Sequence, residues 1–381
     1  MNAHDPVNNL GTPVPVDVAS IERELAGLWE SAAASGVQGA AIRACSCNLV
    51  VIAEGRAQAA AVLPVLAGVS RSHPARCLVA YLEPPDGSRG SEARMDAWIS
   101  AQCSLPVAGR PQICSEVITL AAPDSAAGDL PNTLLSLLVP DLQVYLYWRS
   151  FRESDWGWVA RVARSSTFLI VDSHKSKDDP DNRQRILETL THSPGAIPIR
   201  DLNWSRLTAW RDLVTQFFDH PAFRNDVRRI SEVDISRALG APGNLPTRTL
   251  LLTGWLASRL EWRMISAERS SDEWVSRWES LSGEVTVRFT GRPAMSDQPP
   301  GISSLILRTR GGNTFSVFRD TGSSVLKATA SGQGPAFAHS VPQKSMDEAD
   351  LLAGELSLTG EDADFRAALA EALELEKGFR R

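Results

Sequence analysis

Residues 142–148 read LQVYLYW, and residues 167–171 read TFLIV. Both runs are apolar at successive positions, which is typical of strands that are buried on both faces of a sheet. The second run begins about 25 residues after the first, a distance that suits a strand–helix–strand crossover between parallel strands. This pair predicts an α/β fold built on a parallel sheet.

The sequence on either side of this pair extends the predicted fold. Upstream, runs at 48–53, 77–82 and 112–120 predict further strands, and Pro64 is expected to end or kink a helix in the Ala-rich segment between the first two. Residues 95–103 alternate with the period of a strand, although Trp98 leaves a helix open as an alternative. Downstream, apolar spacing predicts helices at 204–219 and 249–263, an antiparallel meander at 284–329 and a C-terminal helix capped by Thr359. Residues 292–300 and 331–345 are predicted to be loops.

These elements predict two domains of different character. The N-terminal domain, residues 17–195, is predicted to be α/β, a mixed sheet with parallel strand crossovers and flanking helices. The C-terminal domain, residues 196–381, is predicted to be α+β with an antiparallel meander. Residues 1–16, which contain three prolines, are expected to form a flexible tail.

Composition narrows the function classes. A net charge of −6 gives no long-range attraction for nucleic acid or for anionic lipid. No apolar run approaches the roughly 20 residues of a membrane helix, and the N-terminus lacks a secretory signal. The five cysteines are an odd number in a long chain, which favours reduced thiols over a disulfide framework. We therefore expect a cytoplasmic protein that binds neither nucleic acid nor membrane.

Known catalytic and cofactor motifs are absent from the sequence. It has no Walker loop, no G-x-G-x-x-G and no H-E-x-x-H, so no cofactor or metal is predicted. Asp178, Asp179 and Asp181 favour a helix cap over a metal site. His73 to Arg76 (HPAR) either contact a phosphate or form a turn in which Arg76 is salt-bridged, and the second interpretation is favoured. Asp172 to His174 are sequence neighbours, which cannot form a catalytic triad on one strand.

Tryptophan is concentrated in the middle of the chain. Nine of the eleven tryptophans lie between Trp148 and Trp278, and several neighbour an arginine. Trp and Arg are the residue types most enriched at interface hot spots, although apolar spacing also places Trp204 and Trp210 on the core side of their helix. Both interpretations stay open.

Six segments, in order along the chain, resemble the OpcA family. They are HPAR at 73–76, CSEVITL at 114–120, VPDLQVYLYW at 139–148, IVDS at 170–173, DLNWSRLTAWRDLVTQFFD at 201–219 and TGWLASRLEW at 253–262. The resemblance covers roughly residues 17–375. It implies a non-catalytic partner of glucose-6-phosphate dehydrogenase, at the entry of the oxidative pentose phosphate pathway. Members of the family are described as assembly factors or allosteric activators, and in cyanobacteria as responsive to thiol redox state.

The resemblance also directs attention to particular residues. The signature helix suggests a partner surface formed or supported by Asp201, Trp204, Arg206, Trp210 and Arg211, with Asp201 as a helix cap. Redox control, with thioredoxin as a second partner, would act through Cys45 and Cys47. The alternative, that both are reduced thiols and one of them is buried, is favoured.

A second hypothesis comes from the fold class. α/β sheets bind ligands at the C-terminal edge of their parallel strands. An enzyme or sensor would there surround a phosphate-bearing metabolite with Arg149, Asp172 and Ser173.

Overall fold

A computed structural model describes residues 12–34, 42–83, 94–103, 113–150, 155–175, 188, 197–238, 245–270, 273–292, 301–320, 325–342 and 346–380. The chain divides into two compact units. The first comprises residues 1–172, 193–200 and 347–361, and the second comprises 173–192, 201–346 and 362–381. The mixed α/β class predicted from the sequence is confirmed. The boundary near residue 195 stays a prediction, and the return of residues 347–361 to the first unit was not foreseen.

The first unit contains these described strands and helices: β1 Val14–Val16, α1 Ile21–Ala34, β2 Ile42–Arg43, β3 Cys47–Ile52, α2 Gly55–Val69, β4 Ala75–Glu83, β5 Asp96–Cys103, β6 Ile113–Pro123, α3 Leu130–Ser136, β7 Val144–Trp148, α4 Trp156–Ala163, β8 Phe168–Val171 and β9 Ile199–Asp201, whose last residue belongs to the second unit. After the second unit's strands, helix α8, Glu348–Ser357, completes it. Its sheet has the order β1-β5-β6-β4-β3-β7-β8-β9, and β2 pairs with β6.

The centre of this sheet is parallel, as LQVYLYW and TFLIV predicted. β3 pairs in parallel with β4 on one side and with β7 on the other, and β7 pairs in parallel with β8. All five residues of β7 and all four of β8 are buried. The chain therefore proceeds outward from β3 in one direction and then returns to its other side, which is the strand order of doubly wound folds.

Two expectations for this unit were wrong. Val14–Val16 lie in the predicted tail but pair antiparallel with β5 as an edge strand. Helix α2 does not end at Pro64, one of the two outcomes we expected there, but continues to Val69. The buried apolar side of α2 compensates for the hydrogen bond that proline cannot donate.

The second unit contains these described elements: α5 Leu202–Ser205, α6 Thr208–Asp219, β10 Ile230–Ala238, α7 Thr247–Arg259, β11 Arg263–Arg269, β12 Glu273–Ser280, β13 Gly283–Arg292, β14 Ile302–Thr309, β15 Thr314–Arg319, β16 Val325–Ser331, β17 Phe337–Pro342 and α9 Ala363–Gly378. The sheet order is β11-β12-β13-β10-β14-β15-β16-β17. All neighbours are antiparallel except β10 and β13. The predicted meander is thus part of a larger sheet.

Alternation along these strands gives the sheet two different faces. On the inner face, Phe217 of α6 packs against Phe315 and Phe337, with ring centroids 5.1 and 5.0 Å apart. On the other face, Arg288 and Arg308 pair with acidic side chains of β10 and remain partly exposed. Helix α6 thus covers the apolar side of the sheet.

Several predicted bounds in this unit need correction. The helix predicted at 204–219 is two helices, α5 and α6, separated at Arg206 and Leu207. Residues 337–342, predicted as loop, form β17, because alternate small side chains pair with β16. The C-terminal helix is capped by Asp362, which accepts the backbone N–H of Phe365 at 2.8 Å, and not by Thr359.

None of the helices in the described part of the chain is both long and apolar enough to span a membrane.

A close helix contact in the second unit yields a stability prediction. A Cβ on buried Gly254 of α7 would lie 2.2 Å from the carbonyl oxygen of Ala368 in α9. Gly254→Ala should therefore lower the free energy of unfolding by about 1–3 kcal/mol, because two packed helices must separate. Gly354→Ala in α8 is the control, since a Cβ there meets nothing within 4 Å. Urea unfolding should show Gly354→Ala unchanged or slightly more stable, and equal losses in both variants would contradict the assigned contact.

Candidate functional site

The first unit has a topological switch point between β3 and β7. On the β3 side, the chain turns into α2 through Gly55, whose φ of 68° suits a residue without a Cβ. On the β7 side, Arg149 and Ser150 follow the strand, and both backbone N–H groups donate to the carbonyl of Ile52. Doubly wound sheets bind ligands in the crevice outside such strand ends. This is where Arg149 was predicted to meet a phosphate.

Arg149 is bound within the chain at this point. Its Nε donates to Glu348 Oε1 at 2.7 Å and its Nη2 to Glu348 Oε2 at 3.2 Å. Tyr147, on the same strand, donates its hydroxyl to Glu348 Oε1 at 2.8 Å. The side chains of Arg149 and Glu348 are 11% and 17% exposed, respectively. A carboxylate of α8 therefore takes the bidentate position that a phosphate was expected to occupy.

The electrostatics follow from this arrangement. Burial lowers the pKa of Arg149, but the hydrogen bond and charge of Glu348 outweigh it and raise that pKa above its ordinary value, with a further contribution from Asp172. Burial raises the pKa of Tyr147 well above its ordinary value, and the charges of Glu348 and Asp172 add to this. Arg149 and Asp172 therefore lie in one cluster of mixed charge, in which Glu348 is the ion-pair partner of Arg149.

The start of α2 also bears on cofactor chemistry. In doubly wound dinucleotide-binding folds, a pyrophosphate sits at the N-terminus of the helix after the first strand. Here Glu54 occupies the N-cap position, and its carboxylate accepts a hydrogen bond from Gln58 Nε2 at 3.3 Å. A carboxylate beside the first turn repels a pyrophosphate, and the glycine fingerprint is missing. The residues present do not fit a dinucleotide.

The other end of α8 is anchored just as firmly. Arg200 donates to the carbonyl oxygens of Glu355, Leu358 and Gly360, the last two at 3.0 Å. Its guanidinium also lies 3.7 Å from the centroid of the Phe168 ring. A cation at the C-terminus of a helix satisfies carbonyls that have no partner within the helix. Helix α8 is therefore held at both ends by arginines of the first unit.

Ser173, the third predicted pocket residue, belongs to a separate buried network in the second unit. Its Oγ donates to Asp201 Oδ2 at 2.5 Å and accepts from Asn203 Nδ2 at 3.0 Å. Asp201 also accepts the backbone N–H groups of Ser173 and Asn203, so it caps α5 as predicted. The asparagine in turn accepts from Arg248 Nε at 3.0 Å. These contacts give Ser173 and Asp201 structural roles.

Three of the five predicted partner-binding residues lie in the interior. Trp204 is 4% exposed and Trp210 is 0% exposed, and Asp201 is buried as well. Trp204 Nε1 donates to Asp362 Oδ2 at 2.8 Å, and its ring centroid lies 5.7 Å from that of Phe365. The prediction that these three form the partner surface is not supported, because their side chains are buried in the core of the second unit.

Arg206 and Arg211 remain half-buried. The Arg211 guanidinium lies 3.6 Å from the centroid of the Trp204 ring, and its Nη2 donates to Thr208 Oγ1 at 3.2 Å. An arginine stacked on a tryptophan presents one face and its remaining N–H groups outward. A partner-binding role for this pair stays a prediction.

The HPAR segment forms a structural ion network. Arg76 Nη2 donates to Glu116 Oε2 at 2.8 Å, and its Nη1 donates to Glu22 Oε1 at 2.5 Å. Arg43 and Trp29 bind the other oxygen of Glu116. The favoured interpretation, a salt-bridged Arg76, is confirmed.

The cysteines differ from the expectation that all are reduced. Cys114 is disulfide-bonded, and the antiparallel register sets it opposite Cys103. Proximity across strands cannot be read from an odd cysteine count. Cys45 and Cys47 are free, and burial raises the pKa of both, that of Cys47 to about 11. Thiols with raised pKa values react slowly, so the redox prediction gains no support from their surroundings.

Asp178, Asp179 and Asp181 lie outside the described residues. Within the part of the chain that is described, no group of three or more His, Cys, Asp or Glu side chains is arranged to hold a metal ion.

The contacts that join Glu348, Arg200 and the tyrosines of β7 to helix α8 were not predicted from the sequence. The helix itself had a signal, since Asp347 caps it by accepting the N–H of Asp350 and leucines follow at helical spacing. Its pairing with Arg149 had none, because 199 residues separate the two.

Two family models match this chain. The family model described as the glucose-6-phosphate dehydrogenase subunit N-terminal domain matches residues 67–188, and that described as the corresponding C-terminal domain matches residues 197–369. The chain belongs to the OpcA family. The resemblance inferred from the six segments is therefore confirmed.

Curated relatives are cyanobacterial. The OxPP cycle protein OpcA of Nostoc punctiforme is 32% identical over 186 residues, which are 49% of this chain and 38% of that protein. The corresponding protein of Synechococcus elongatus is 26% identical over 288 residues, 72% of this chain and 63% of the relative. This chain thus matches less than two thirds of the length of either relative.

Solved structures match this chain at low similarity. The dehydrogenase MviM of Clostridium difficile has a TM-score of 0.46 at 9% identity, over 87% of this chain and 97% of that one. The WlbA dehydrogenase of Thermus thermophilus, in complex with NAD and α-ketoglutarate, has a TM-score of 0.41 at 13% identity, over 87% and 94%. At these values the likeness carries no argument about activity.

The ion pair at the switch point is testable. Glu348→Gln leaves Arg149 largely buried without its carboxylate, so the free energy of unfolding should fall by about 2–3 kcal/mol. Glu279→Gln is the matched control, because the Arg263–Glu279 pair is exposed and an exposed ion pair contributes little to stability. Urea unfolding measures both. A loss no larger in Glu348→Gln than in the control would show that α8 is anchored by other contacts.

Cys47 offers a pH-dependent test. Its pKa of about 11, against an ordinary value of 9.0, leaves a thiolate fraction at pH 8 about a hundredfold below that of an ordinary thiol. Alkylation by iodoacetamide, read by mass spectrometry at each cysteine, should be slow in the folded protein and should accelerate as pH rises toward 11. The urea-unfolded chain is the control, with an apparent pKa near 9. Fast labelling of folded Cys47 with an apparent pKa of 9 or less would restore it as a redox candidate.

Proposed function

We propose that this protein binds glucose-6-phosphate dehydrogenase and promotes its assembly or allosteric activation, without turnover of its own. The observation that carries the proposal is the match of two family models, both named for a subunit of that enzyme, over most of the chain. We place this role in the cytoplasm, at the entry of the oxidative pentose phosphate pathway. The relatives are named as OxPP cycle proteins.

The switch point supports a binding role over a catalytic one. Glu348 accepts the hydrogen bonds of the Arg149 guanidinium, which is therefore not available to a ligand phosphate. Glu54 places a negative charge at the helix start where a pyrophosphate would bind. Both groups are carboxylates supplied by the chain itself. An α/β enzyme or metabolite sensor at this edge is the second candidate, and it is favoured by the doubly wound strand order alone.

Allosteric activation needs only a modest energy difference. A partner that binds the active state of an enzyme more tightly by about 1–3 kcal/mol shifts its equilibrium by roughly 5–150-fold. Assembly differs, because it acts on the rate or extent of subunit association and leaves the finished oligomer unchanged.

A kinetic titration tests the proposal and separates its two forms. Increasing amounts of this protein are added to the dehydrogenase of the same organism, either preassembled or during refolding from denaturant. We expect saturable changes in velocity or in apparent substrate affinity, together with co-elution on size exclusion. An effect confined to refolding enzyme would indicate assembly. Neither co-elution nor any kinetic change in both arms would refute the proposal, and NADP⁺ reduction by this protein alone would favour the second candidate.

The same titration examines the arginines of the signature helix. If Arg206 or Arg211 contacts the partner, its replacement by alanine should weaken binding by about 1–3 kcal/mol with stability nearly unchanged. Arg277→Ala, on the exposed side of β12, serves as the control. Loss of stability with normal activation would assign both arginines to the fold.

A further inference from the structure

One end of the second unit's sheet brings together three loops that carry arginines and an exposed leucine. The short 3-10 helix Asp226–Arg229 directly precedes β10 and provides Arg228 and Arg229. The turn after β14 provides Arg310, and the turn between β12 and β13 provides Leu281. All three arginines are exposed, and Leu281 is 78% exposed. We call these four side chains the arginine patch.

Hydrogen bonds hold the three loops against one another. The backbone N–H of Arg310 donates to the carbonyl of Arg229 at 2.9 Å. Ser282 Oγ donates to the carbonyl of Arg228 at 2.5 Å, and Arg310 Nη2 donates to the carbonyl of Glu284 at 2.6 Å. A surface that is ordered before binding loses less conformational freedom when a partner arrives. The backbone of the arginine patch is therefore preorganised.

The positive charge of the patch lacks ion-pair partners. Among the described residues, none of its three arginines forms an ion pair. Arginines on strands of the same sheet do pair with carboxylates: Arg263, Arg277, Arg288 and Arg308. The acidic side chains nearest to Leu281 in the sequence, Glu279 and Glu284, belong to two of these pairs. A chain of net charge −6 thus presents a local concentration of positive charge.

Asp226, on the same 3-10 helix, has a structural role. It is 7% exposed, and its Oδ2 accepts from Asn313 Nδ2 at 2.7 Å. Asp226 Oδ1 and Arg229 Nη1 each lie 3.3 Å from the position of a Cβ on Gly311, so this carboxylate offsets part of the charge of Arg229. The side chain of Arg228 has no hydrogen bond to a described residue, which makes its charge the most available to a partner.

We propose that the arginine patch binds an acidic segment of glucose-6-phosphate dehydrogenase, with an apolar side chain of that segment packed against Leu281. Arginine's planar fork pairs with carboxylates through two parallel hydrogen bonds, and arginine is enriched at protein interfaces. An acidic segment would supply the counter-ions that this chain does not provide. The inference rests on the proposed function and adds to it the surface and the chemistry of the contact.

Charge reversal at Arg228 tests the electrostatic part. The affinity of the full-length protein for the dehydrogenase of the same organism is measured by biolayer interferometry at rising NaCl concentration. Wild-type affinity should fall as salt screens the exposed charges. Arg228→Glu should weaken binding by about tenfold or more at low salt and should reduce the salt dependence. Arg164→Glu is the matched control, because Arg164 of the first unit is exposed and likewise forms no ion pair with a described residue.

Replacement of Leu281 tests the apolar part. Leu281→Ser should weaken binding by at least several-fold at every salt concentration, because salt does not screen an apolar contact. Leu358→Ser in the first unit is the control, since that leucine is 50% exposed, and it should bind as the wild-type protein does. Circular dichroism verifies the fold of each variant. Should Arg228→Glu fail to fold, Arg228→Ala replaces it under the same criterion.

The possible failures are distinguishable. If the wild-type protein does not bind the dehydrogenase, the proposed function is wrong and this surface with it. If the wild-type protein binds, but Arg228→Glu and Leu281→Ser bind as tightly as their controls, the surface alone is wrong. Sedimentation at rising protein concentration examines a second copy as the occupant. Self-association that Arg228→Glu abolishes, with binding of the dehydrogenase unchanged, would overturn the inference in favour of that occupant.

Discussion

The ion pair between Arg149 and Glu348 connects two segments that lie 199 residues apart in the sequence. It joins a strand in the middle of the first unit to a helix that the chain supplies only after the second unit's sheet. Tyr147 shares the same carboxylate oxygen, and Arg200 holds the opposite end of the helix through three carbonyl groups. A partly buried ion pair is favourable only when its geometry is good and its other hydrogen bonds are made, and both conditions hold here. The first unit is therefore a product of distant segments.

This arrangement gives the family segments a physical meaning. In VPDLQVYLYW, Tyr145 donates to the carbonyl of Leu356 and Tyr147 to Glu348, so alternate positions of one strand face α8. In the signature helix, Asp201 caps α5 and Trp204 binds the residue that caps α9. Their side chains are required by the fold, and a family likeness built on them identifies the architecture. These buried residues therefore do not identify the surface that contacts a partner, which must be formed by exposed residues.

The sequence predicted local features well and long-range ones poorly. Continuous apolar runs identified β7 and β8, because a strand that is buried on both faces has apolar residues at successive positions. The spacing between the two runs indicated their parallel pairing. The Asp201 cap followed from its position before a helix. The break of the signature helix at Arg206 did not, since apolar spacing continues across it. Nor did β17, whose small side chains resemble a loop until β16 is beside them. Arg149 directly follows β7, but its ion-pair partner Glu348 lies 199 residues away, so no local pattern predicts the pairing.

The composite make-up of the first unit has a consequence for synthesis on the ribosome. When residue 201 has left the exit tunnel, every described strand of the first sheet has been synthesised. The side of β7 that α8 covers still exposes two tyrosines and the guanidinium of Arg149, because Glu348 has not yet been made. That surface must wait for almost 150 further residues. During this interval the nascent chain presents an incomplete domain to chaperones and to neighbouring chains. Helix α8 closes it late, so the maturation of the first unit is timed by the translation of the second.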